Sequence, residues 1–384
     1  MDVDALIGEA DKALGSGDLS RASRLLERAA VERADDPSLW LRVAALHRGA
    51  GKPRLALQAV QDALKHAPLE FTALLMRASL LETLGDADAS EAWERALANK
   101  PAGELPPQIA SVVAHGEKHL ADWLATREAK MKSAMAASEG RANPDQRKRI
   151  ERFRSNVLRR TKPFHSTPTN FHFPELVERE FHPRSLFPWL AEVEAATDRI
   201  ATELHAVMNA ERAELVPYIQ YEDHLALDQW RALNKNSDWT AIHLLFGGER
   251  VGANARHCPQ TLALLAELQQ PQIPGASPNA MFSLLAPNTR IPPHVGVNNA
   301  RLVCHLPLVV PEGCWFRVGG ETRLWKRGEA FVFDDTIEHE AMNPTDELRV
   351  VFIFDVWHPG LSEVERDAVA ALIEADANKD QPGL

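Results

Sequence analysis

Small apolar residues recur at helical spacing in three successive units of the first hundred residues. Gly17, Gly51 and Gly85 each precede such a stretch and lie 34 residues apart. Glycine permits a tight turn between two helices, and small side chains let the helices pack closely. The pattern therefore predicts three helix–turn–helix units. Their small apolar positions are Ala22 and Ala29, then Ala56, Ala59 and Ala63, and finally Ala89, Ala92 and Ala96.

Prolines recur with nearly the same period, at Pro37, Pro68 and Pro101, where we expect each to end the second helix of its unit. A helix–turn–helix period of 34 residues resembles the tetratricopeptide family, over roughly residues 3–101. The large aromatic positions of that family are mostly aliphatic here. The resemblance implies a concave face that binds a peptide or protein, or alternatively a scaffold or oligomerisation element without a ligand. We assign residues 1–120 to this helical repeat domain.

A polar segment follows, and we interpret residues 121–160 as a helical linker with a break between Gly140 and Pro144. The segment is locally basic, which is typical of a solvated connecting helix. The alternative interpretation is a docking site for an anionic substrate or partner. Its basic residues are Arg147, Lys148, Arg149, Arg152, Arg154, Arg159 and Arg160.

Residues 161–384 carry the pattern of a second domain. Residues 188–209 place apolar side chains on one helical face, and short alternating apolar runs follow Val216. Many short strands separated by turn signals favour a two-sheet barrel of jelly-roll type, also called a double-stranded β-helix. A last helix is predicted from Ser362 to about Ala377, with a capping box completed by Glu365. The predicted fold is therefore an α+β multidomain protein.

Composition narrows the possible partners and the compartment. The net charge of −11 argues against nucleic acid, because phosphate binding requires a basic face. Three cysteines without C-x-x-C spacing argue against a disulfide framework and favour a reducing compartment. The first residues, MDVDALIGEADKALG, lack the features of a signal peptide, and no run of eighteen apolar residues predicts a membrane span. We therefore expect a cytoplasmic protein.

Candidate chemistry lies between Phe282 and Trp357. His294 and His339 fall on or beside predicted strands, and several strands between them can return the chain to the same barrel mouth. Imidazole is a ligand for iron, zinc, copper and nickel alike, so the pair by itself leaves a packed or surface role open. Gly296 stands where the carboxylate of a two-histidine, one-carboxylate iron site would normally lie.

Arg349 strengthens the prediction of a site because it lies on the apolar strand LRVVFIFDVW. A buried guanidinium needs an anion, and a carboxylate is its natural partner. A dicarboxylate such as 2-oxoglutarate meets both requirements, since one end chelates a metal and the other reaches the arginine. Ser283 on the strand MFSLL is placed to donate a further hydrogen bond.

At these segments the chain resembles the aspartyl/asparaginyl β-hydroxylase family of iron(II)/2-oxoglutarate oxygenases, over about residues 160–360. The matching segments are FSLLAPNTRIPPHVGVNNARLVCHLPLVVP, RVGGETRLWKRGEAFVFDDTIEHEAMN and RVVFIFDVWHP, together with FHFPEL, FPWL and DWTAIHLLFGGERV upstream. The animal enzymes of the family likewise place a tetratricopeptide-like region before the oxygenase domain. The resemblance implies iron(II), 2-oxoglutarate and O2 as cofactor and co-substrates.

The resemblance also implies roles for individual residues around the co-substrate. Ser283 and Arg349 match the residues that hold the distal carboxylate of 2-oxoglutarate. Trp239 matches a tryptophan beside the co-substrate, although simple barrel packing is the alternative. His305 matches a histidine near the metal-binding end, with a packed core histidine as the alternative.

Further roles concern the metal and the substrate. His294 and His339 match the two iron ligands. The resemblance also implies that the absence of a carboxylate at the position of Gly296 is normal for the family, with water filling that position. Arg301 matches an arginine that faces the substrate carboxylate, with a surface ion pair as the alternative. We expect Asp334 and Asp335 to fix the loop or the ring of His339 rather than to ligate iron. 

Two positions depart from the family pattern. Val303 stands where the family has a second arginine, and Asn234 stands where the animal enzymes have a substrate-binding arginine. The loss of two positive charges should weaken the recognition of an acidic side chain. The departures put an aspartyl substrate in doubt and leave the proposed iron chemistry unaffected.

The predicted function is an iron(II)- and 2-oxoglutarate-dependent dioxygenase that hydroxylates the β-carbon of an Asp- or Asn-like residue in a peptide or protein. We expect the repeat domain to help gather that substrate. One alternative is the same chemistry on a lipid acyl chain or a small molecule. A second is a halogenase with chloride beside Gly296. A third is a repeat scaffold with an inactive barrel.

Overall fold

The computed structural model describes residues 2–210, 214–220, 224 and 230–376. The chain divides into two compact units, Met1–Leu158 and Arg159–Leu384. The first is helical, and the second is rich in β-structure. The predicted boundaries at residues 120 and 160 stay predictions. No helix in the described part of the chain is long and apolar enough to cross a membrane.

The first unit consists of helices joined by short turns. Its first six helices form three consecutive pairs, as the glycine period predicts, and two further helices follow. The bounds are α1 (Val3–Gly15), α2 (Leu19–Glu32), α3 (Pro37–Gly49), α4 (Pro53–His66), α5 (Phe71–Thr83), α6 (Ala89–Ala98), α7 (Pro107–Arg141) and α8 (Pro144–Val157).

The turn within each pair contains the predicted glycine. Gly17, Gly51 and Gly85 have φ values of 79°, 72° and 67°, a conformation that other residues rarely adopt. Pro37 differs from expectation, because it begins α3 instead of ending α2. Proline suits the first position of a helix, since its missing N–H has no partner there anyway. The predicted small apolar positions are all buried, namely Ala22, Ala29, Ala56, Ala59, Ala63, Ala89, Ala92 and Ala96.

The predicted break between Gly140 and Pro144 is confirmed. Helix α7 ends at Arg141, and the side chain of Asn143 caps α8 in a reciprocal capping box with Gln146. Helix α7 begins at Pro107, well before the predicted linker, so a single helix of 35 residues extends from the repeats into the polar segment.

The second unit contains eleven strands within its described residues. The first six are β1 (Val216–Pro217), β2 (Trp239–Phe246), β3 (Glu249–Arg250), β4 (Ala280–Leu285), β5 (Thr289–His294) and β6 (Arg301–Val309). The others are β7 (Trp315–Val318), β8 (Glu321–Leu324), β9 (Phe331–Phe333), β10 (His339–Asn343) and β11 (Arg349–Trp357).

These strands form two antiparallel sheets. The larger sheet has the order β1-β2-β4-β11-β6-β9, with β3 paired to β2, and the smaller has the order β5-β10-β7-β8. Every pairing between named strands is antiparallel. Along each strand, successive side chains face opposite sides of the sheet. The β-rich architecture is confirmed, and its description as a jelly roll remains a proposal.

Two apolar cores lie on the two faces of the larger sheet. One face packs against helices. In that core, Phe282 and Phe352 of the sheet lie together with Leu204 and Leu262 of the helices. The other face packs against the smaller sheet and contributes Trp239, Val303 and Ile353, while Phe316 and Ala341 come from the smaller sheet. The space between the sheets is therefore enclosed on both sides by apolar side chains.

The helices of the second unit are α9 (Leu190–Ala195), α10 (Thr197–Met208), α11 (Gly252–Ala255), α12 (Pro259–Ala266) and α13 (Glu363–Asp376). The predicted helix over 188–209 is thus divided at Ala196, where the Thr197 hydroxyl donates to the Glu194 carbonyl. The capping box at the start of α13 is confirmed by hydrogen bonds between Ser362 and Glu365. Ala377, the predicted end of that helix, lies outside the described residues.

Candidate active site

Two histidines that are 45 residues apart in the sequence lie side by side in the structure. His294 ends β5 and His339 begins β10, and the two residues are directly paired across the antiparallel strands. Their ring centroids are 4.0 Å apart. The smaller sheet therefore brings together the two imidazoles that the sequence predicts as metal ligands.

Backbone carbonyl groups fix the orientation of both rings. Nδ1 of His294 donates to the Pro292 carbonyl at 2.8 Å, and Nδ1 of His339 donates to the Ile337 carbonyl at 3.1 Å. A carbonyl oxygen only accepts, so each Nδ1 carries the hydrogen and each neutral ring keeps the lone pair on Nε2. Burial lowers the pKa of His294 to about 3 and that of His339 to about 4. Neutral imidazoles with an available Nε2 are suitable metal ligands.

Position 296, where a carboxylate ligand would usually lie, has no room for a side chain. A side chain on Gly296 would overlap the carboxylate of Asp335. The backbone of Gly296 is also tied to this residue, because its N–H donates to the Asp335 carbonyl at 2.7 Å. Within the described residues, no group of three or more His, Cys, Asp or Glu side chains is arranged to hold a metal ion. The two histidines thus stand as a pair.

Arg301 is buried in an ion pair, and its role toward a substrate stays a prediction. Its side chain is 4% exposed, and Nη2 donates to Oδ2 of Asp335 at 3.1 Å. Asp335 lines the cavity beside the histidines, whereas Arg301 is not among the described residues of the cavity wall. Burial raises the pKa of Asp335, and the Arg301 charge opposes that shift. In this structure the arginine compensates a buried carboxylate through Nη2, and its Nη1 has no hydrogen-bond partner among the described residues.

The two aspartates before His339 have separate roles. Oδ1 of Asp334 accepts from the backbone N–H and the hydroxyl of Thr336, which fixes the turn that leads to β10. The His339 ring is held by the Ile337 carbonyl instead of by either carboxylate. The expectation that an aspartate fixes this loop is therefore supported for Asp334, while Asp335 pairs with Arg301.

Arg349 is a buried cation without an acidic partner among the described residues. Its Nη1 donates to the carbonyl of Ser283 at 3.3 Å and lies 3.5 Å from the Ser283 hydroxyl, and its Nε has no partner. The guanidinium carbon lies 4.7 Å from the ring centroid of Trp325. Burial lowers the pKa of Arg349 to about 10. An unpaired buried cation is costly, so this geometry suits an anionic ligand.

Trp239 and Ser283 form part of the same wall. Nε1 of Trp239 donates to the hydroxyl oxygen of Ser283 at 3.1 Å. Strand β4 lies between β2 and β11, which places Ser283 between Trp239 and Arg349. Tyr218 stacks on the Trp239 ring with centroids 3.8 Å apart. The indole is therefore held on one face by a ring and at its edge by the serine.

His305 lies on β6 in a cage of aromatic rings. Its side chain is buried, and its Nδ1 has no hydrogen-bond partner among the described residues. Burial, and secondly the charge of Arg349, lower its pKa well below the usual value. It lines the cavity together with Arg349, so both the packed role and the co-substrate role fit its position. The rings around it belong to Phe316, Trp325, Phe331 and Phe333.

One cavity of about 150 Å³ brings these residues together. It is lined by six of the seven predicted site residues, which are His294, His339, Trp239, Ser283, His305 and Arg349. Arg301 is the exception. Sequence reasoning missed Trp325, Tyr218 and Trp230 on the wall, because nothing in the sequence distinguishes a tryptophan or tyrosine that lines a site from one that packs in a core.

The comparisons with known proteins agree with the resemblance. The model of the family described as Aspartyl/Asparaginyl beta-hydroxylase matches residues 194–359. The human aspartyl/asparaginyl beta-hydroxylase is 32% identical over 187 residues, which cover 48% of this chain and 24% of that protein. The human aspartate beta-hydroxylase domain-containing protein 2 is 39% identical over 137 residues, which cover 35% of this chain and 37% of that protein. The predicted resemblance is confirmed for this region.

The match to a bacterial relative covers a larger share of both chains than the matches to these two human proteins. The ornithine lipid ester-linked acyl 2-hydroxylase of Rhizobium tropici is 32% identical over 193 residues, which cover 50% of this chain and 64% of that protein. This chain therefore spans less than two thirds of each of these relatives.

Among solved structures, the type III secretion chaperone SycD of Yersinia enterocolitica, solved with a peptide of the translocator YopD, is similar to part of this chain. The match covers 31% of this chain and 89% of that protein, with 18% identity and a TM-score of 0.28.

Proposed function

We propose that this protein is an iron(II)- and 2-oxoglutarate-dependent dioxygenase that hydroxylates an unactivated carbon. One observation carries the proposal. Two neutral histidines with available Nε2 atoms line the same cavity as a buried arginine that has no acidic partner among the described residues. The family match over residues 194–359 supports a hydroxylase independently of that geometry.

The residues present fit an iron ion. His294 and His339 would hold it through Nε2, and Gly296 supplies no carboxylate ligand. Bound iron would supply the activation of O2, coupled to the oxidation of 2-oxoglutarate to succinate and carbon dioxide and to the hydroxylation of the substrate. The doubly charged co-substrate balances the charge of iron(II), so a third anionic protein ligand is not required.

The protein's own residues would bind and orient the co-substrate. Arg349 and Ser283 would hold the distal carboxylate of 2-oxoglutarate, because the guanidinium and the serine hydroxyl lie together in the wall. Trp239 fixes the serine oxygen by its hydrogen bond. His305 would lie beside the co-substrate as a neutral ring, since its pKa is lowered by burial.

Apolar rings would exclude water from the cavity. Trp230 packs edge-on against His294 with centroids 5.1 Å apart, and Phe333 packs edge-on against His339 at 5.4 Å. Both imidazoles are thus shielded on their outer sides. A water-poor site strengthens the attraction between Arg349 and a carboxylate.

A halogenase fits the structure less well. Chloride at the vacant ligand position would need the space beside Gly296, and the Asp335 carboxylate fills that space. A second anion in contact with a buried carboxylate is unfavourable. The inactive-scaffold alternative is disfavoured by the preserved set of His294, His339 and Arg349 in one cavity.

For the substrate, the first candidate is an Asp- or Asn-like residue in a peptide or protein, as the names of the human relatives suggest. The second candidate is an acyl chain, as the name of the Rhizobium relative suggests.

We further propose that the two sheets form a double-stranded β-helix. The gathering of substrate by the repeat unit and a cytoplasmic location stay predictions.

The test is turnover by the purified full chain. The protein is incubated with iron(II), 2-oxoglutarate, O2 and panels of peptides and acyl amides, and succinate and the mass gain of one oxygen atom are measured. We expect iron-dependent succinate formation and a mass gain on one class of substrate. Replacement of iron by zinc is the control and should give no succinate. The oxygenase proposal would be disproved if no iron-dependent succinate formed, either with any member of the panels or in the absence of a substrate.

A further inference from the structure

Trp325 lies in the wall of the cavity and contacts the buried cation of the site. The guanidinium carbon of Arg349 lies 4.7 Å from the centroid of its ring. Phe316 stacks on the same ring with centroids 5.4 Å apart, and the His305 ring lies at 6.2 Å. These three neighbours line the cavity themselves, so the indole belongs to the interior of the site.

The indole N–H of Trp325 is buried and has no hydrogen-bond partner among the described residues. The indole of Trp239 on the same wall differs, because its N–H donates to the hydroxyl oxygen of Ser283 at 3.1 Å. An indole nitrogen only donates, and a buried donor without an acceptor is costly. Trp325 therefore offers a donor that an acceptor on a bound molecule can satisfy.

Other buried polar atoms on this wall also lack a partner within the described part of the chain. They are Nε of Arg349 and Nδ1 of His305. A carboxylate has about four acceptor sites on its two oxygens and can accept from several donors at once. Unpaired groups gathered in one wall therefore match a carboxylate better than a ligand with a single acceptor.

The distal carboxylate of 2-oxoglutarate has acceptor sites to spare under the proposed function. It meets Arg349 and Ser283, and these two residues do not use all the lone pairs of its oxygens. One arginine already balances the charge of one carboxylate, so a second cation is not required. A neutral indole N–H adds a hydrogen bond without adding charge, and a bond to an ionised acceptor is stronger than one between neutral groups.

We propose that Trp325 is a further co-substrate-binding residue, whose indole N–H donates to the distal carboxylate of 2-oxoglutarate while its ring holds the Arg349 guanidinium. The ring contact is a cation–π interaction, which favours this position of the guanidinium on the wall. This inference rests on the proposed function and adds a donor that neither the sequence pattern nor the family resemblance singles out. It gives Trp325 a part in selecting a dicarboxylic over a monocarboxylic 2-oxo acid.

The test is equilibrium binding to the full chain loaded with zinc(II), so that no turnover occurs. The protein is titrated in a calorimeter with 2-oxoglutarate and with 2-oxopentanoate, which share the 2-oxo acid end and differ by the distal carboxylate. Trp325→Phe keeps an aromatic ring and removes the N–H, so the dissociation constant of 2-oxoglutarate should rise about tenfold or more. The dissociation constant of 2-oxopentanoate, and that of zinc without a co-substrate, should stay unchanged.

Trp189→Phe is the matched control for the same substitution. Trp189 packs against Phe187 and Phe354 on the opposite face of the larger sheet, so its replacement should leave the affinity for 2-oxoglutarate unchanged. Trp325→His keeps a ring N–H and should retain more of the affinity for 2-oxoglutarate than Trp325→Phe does.

Nuclear magnetic resonance on the zinc-loaded wild type gives a second, independent measurement. The indole N–H resonance of Trp325 is assigned by its absence from the spectrum of Trp325→His. It should move downfield when 2-oxoglutarate binds and should move less with 2-oxopentanoate, which has no acceptor at that end. This measurement decides the inference even if Trp325→Phe fails to fold.

The outcomes separate the inference from the proposed function. Absence of 2-oxoglutarate binding to the wild type overturns the proposed function, and the inference with it. Unchanged affinity for 2-oxoglutarate in Trp325→Phe, or equal losses for both acids, overturns the inference alone. A loss of zinc affinity in Trp325→Phe also overturns it, because the effect is then a general distortion of the site. A loss confined to 2-oxoglutarate supports the inference, and the zinc affinity is the deciding reference where 2-oxopentanoate binds too weakly to measure.

Discussion

The Asp335 carboxylate occupies the space that a side chain on Gly296 would need. The two residues come from different loops, and the N–H of Gly296 donates to the Asp335 carbonyl at 2.7 Å. The absence of a carboxylate at position 296 is therefore a steric requirement of this fold. A carboxylate does lie beside the histidines, but it is neutralised by Arg301.

The first prediction tests this steric relationship. Gly296→Ala should lower the free energy of unfolding by about 1–3 kcal/mol, because the new methyl group displaces a buried carboxylate from its ion pair. Chemical denaturation monitored by tryptophan fluorescence measures the change. Gly252→Ala is the matched control in the same unit, since a methyl group there meets open space. Equal stability of the two variants would contradict the predicted overlap.

The same relationship can be tested by exchanging the glycine and the aspartate between positions 296 and 335. Gly296→Asp alone should be at least as destabilising as Gly296→Ala. The double variant Gly296→Asp with Asp335→Gly should recover part of that loss, because the overlap disappears and a carboxylate again lies near Arg301. A double variant that is less stable than Gly296→Asp would show that the Asp335 side chain has another structural role.

Local patterns predicted much of the architecture and of the metal-binding pair. The 34-residue period fixes the turns at Gly17 and its equivalents. The apolar strand around Arg349 leaves open whether its guanidinium faces solvent or the interior, and the structure buries it. The role of Arg301 could not be predicted in the same way. Its partner Asp335 lies 34 residues away, and only the packing of β6 against the loop before His339 brings the two charges together. The same holds for Trp325, whose position under Arg349 depends on how the sheets pack.

The metal-binding pair gives the second prediction. His339→Ala removes one of two neutral imidazoles, so the affinity for a divalent ion should fall by about a hundredfold or more. Calorimetry with manganese(II) and saturating 2-oxoglutarate measures it, and iron-dependent succinate formation should disappear. His165→Ala is the control, because its side chain is 72% exposed and, among the described residues, bonds to Glu178. Retained metal affinity in His339→Ala would place the metal site elsewhere.

Arg349 gives the third prediction. Arg349→Lys keeps the charge but loses the fork of donors that matches a carboxylate, so the half-saturating concentration of 2-oxoglutarate should rise about tenfold or more. The affinity for the metal alone should change little. Arg327→Lys serves as the control, because Arg327 is an exposed residue paired with Asp198. Unchanged co-substrate affinity in Arg349→Lys would remove this arginine from the proposed site.

A buried histidine far from the metal-binding pair in sequence gives the fourth prediction, on pH. His182 has no hydrogen-bond partner for either ring nitrogen among the described residues, and burial, with smaller effects of His358 and Arg179, lowers its pKa to about 3. In the unfolded chain the ring takes up a proton near its ordinary pKa of 6.5. Its contribution to stability is therefore intact above pH 6.5 and declines as the pH falls toward 3.

His182→Phe should remove this acid sensitivity. Between pH 7.5 and pH 5 the variant should lose about 2 kcal/mol less stability than the wild type, because the unfolded state no longer gains a proton at this position. Denaturation curves at the two pH values measure the difference. His165→Phe, at an exposed position, should follow the wild type. Parallel losses in His182→Phe and the wild type would show that His182 is protonated equally in both states.

The last prediction concerns the helical unit. A methyl group on Gly116 would overlap the six-membered ring of Trp93, which is fully buried and donates to Glu82 at 2.8 Å. Gly116→Ala should therefore destabilise this unit by about 1–3 kcal/mol, although alanine is the better helix former. Gly140→Ala on the same helix meets open space and should be neutral or slightly stabilising. Thermal unfolding measures both variants, and calorimetry with 2-oxoglutarate should show unchanged affinity in each, because the site residues all belong to the other unit. A Gly116→Ala variant as stable as Gly140→Ala would contradict the close packing of α6 and α7 at Trp93.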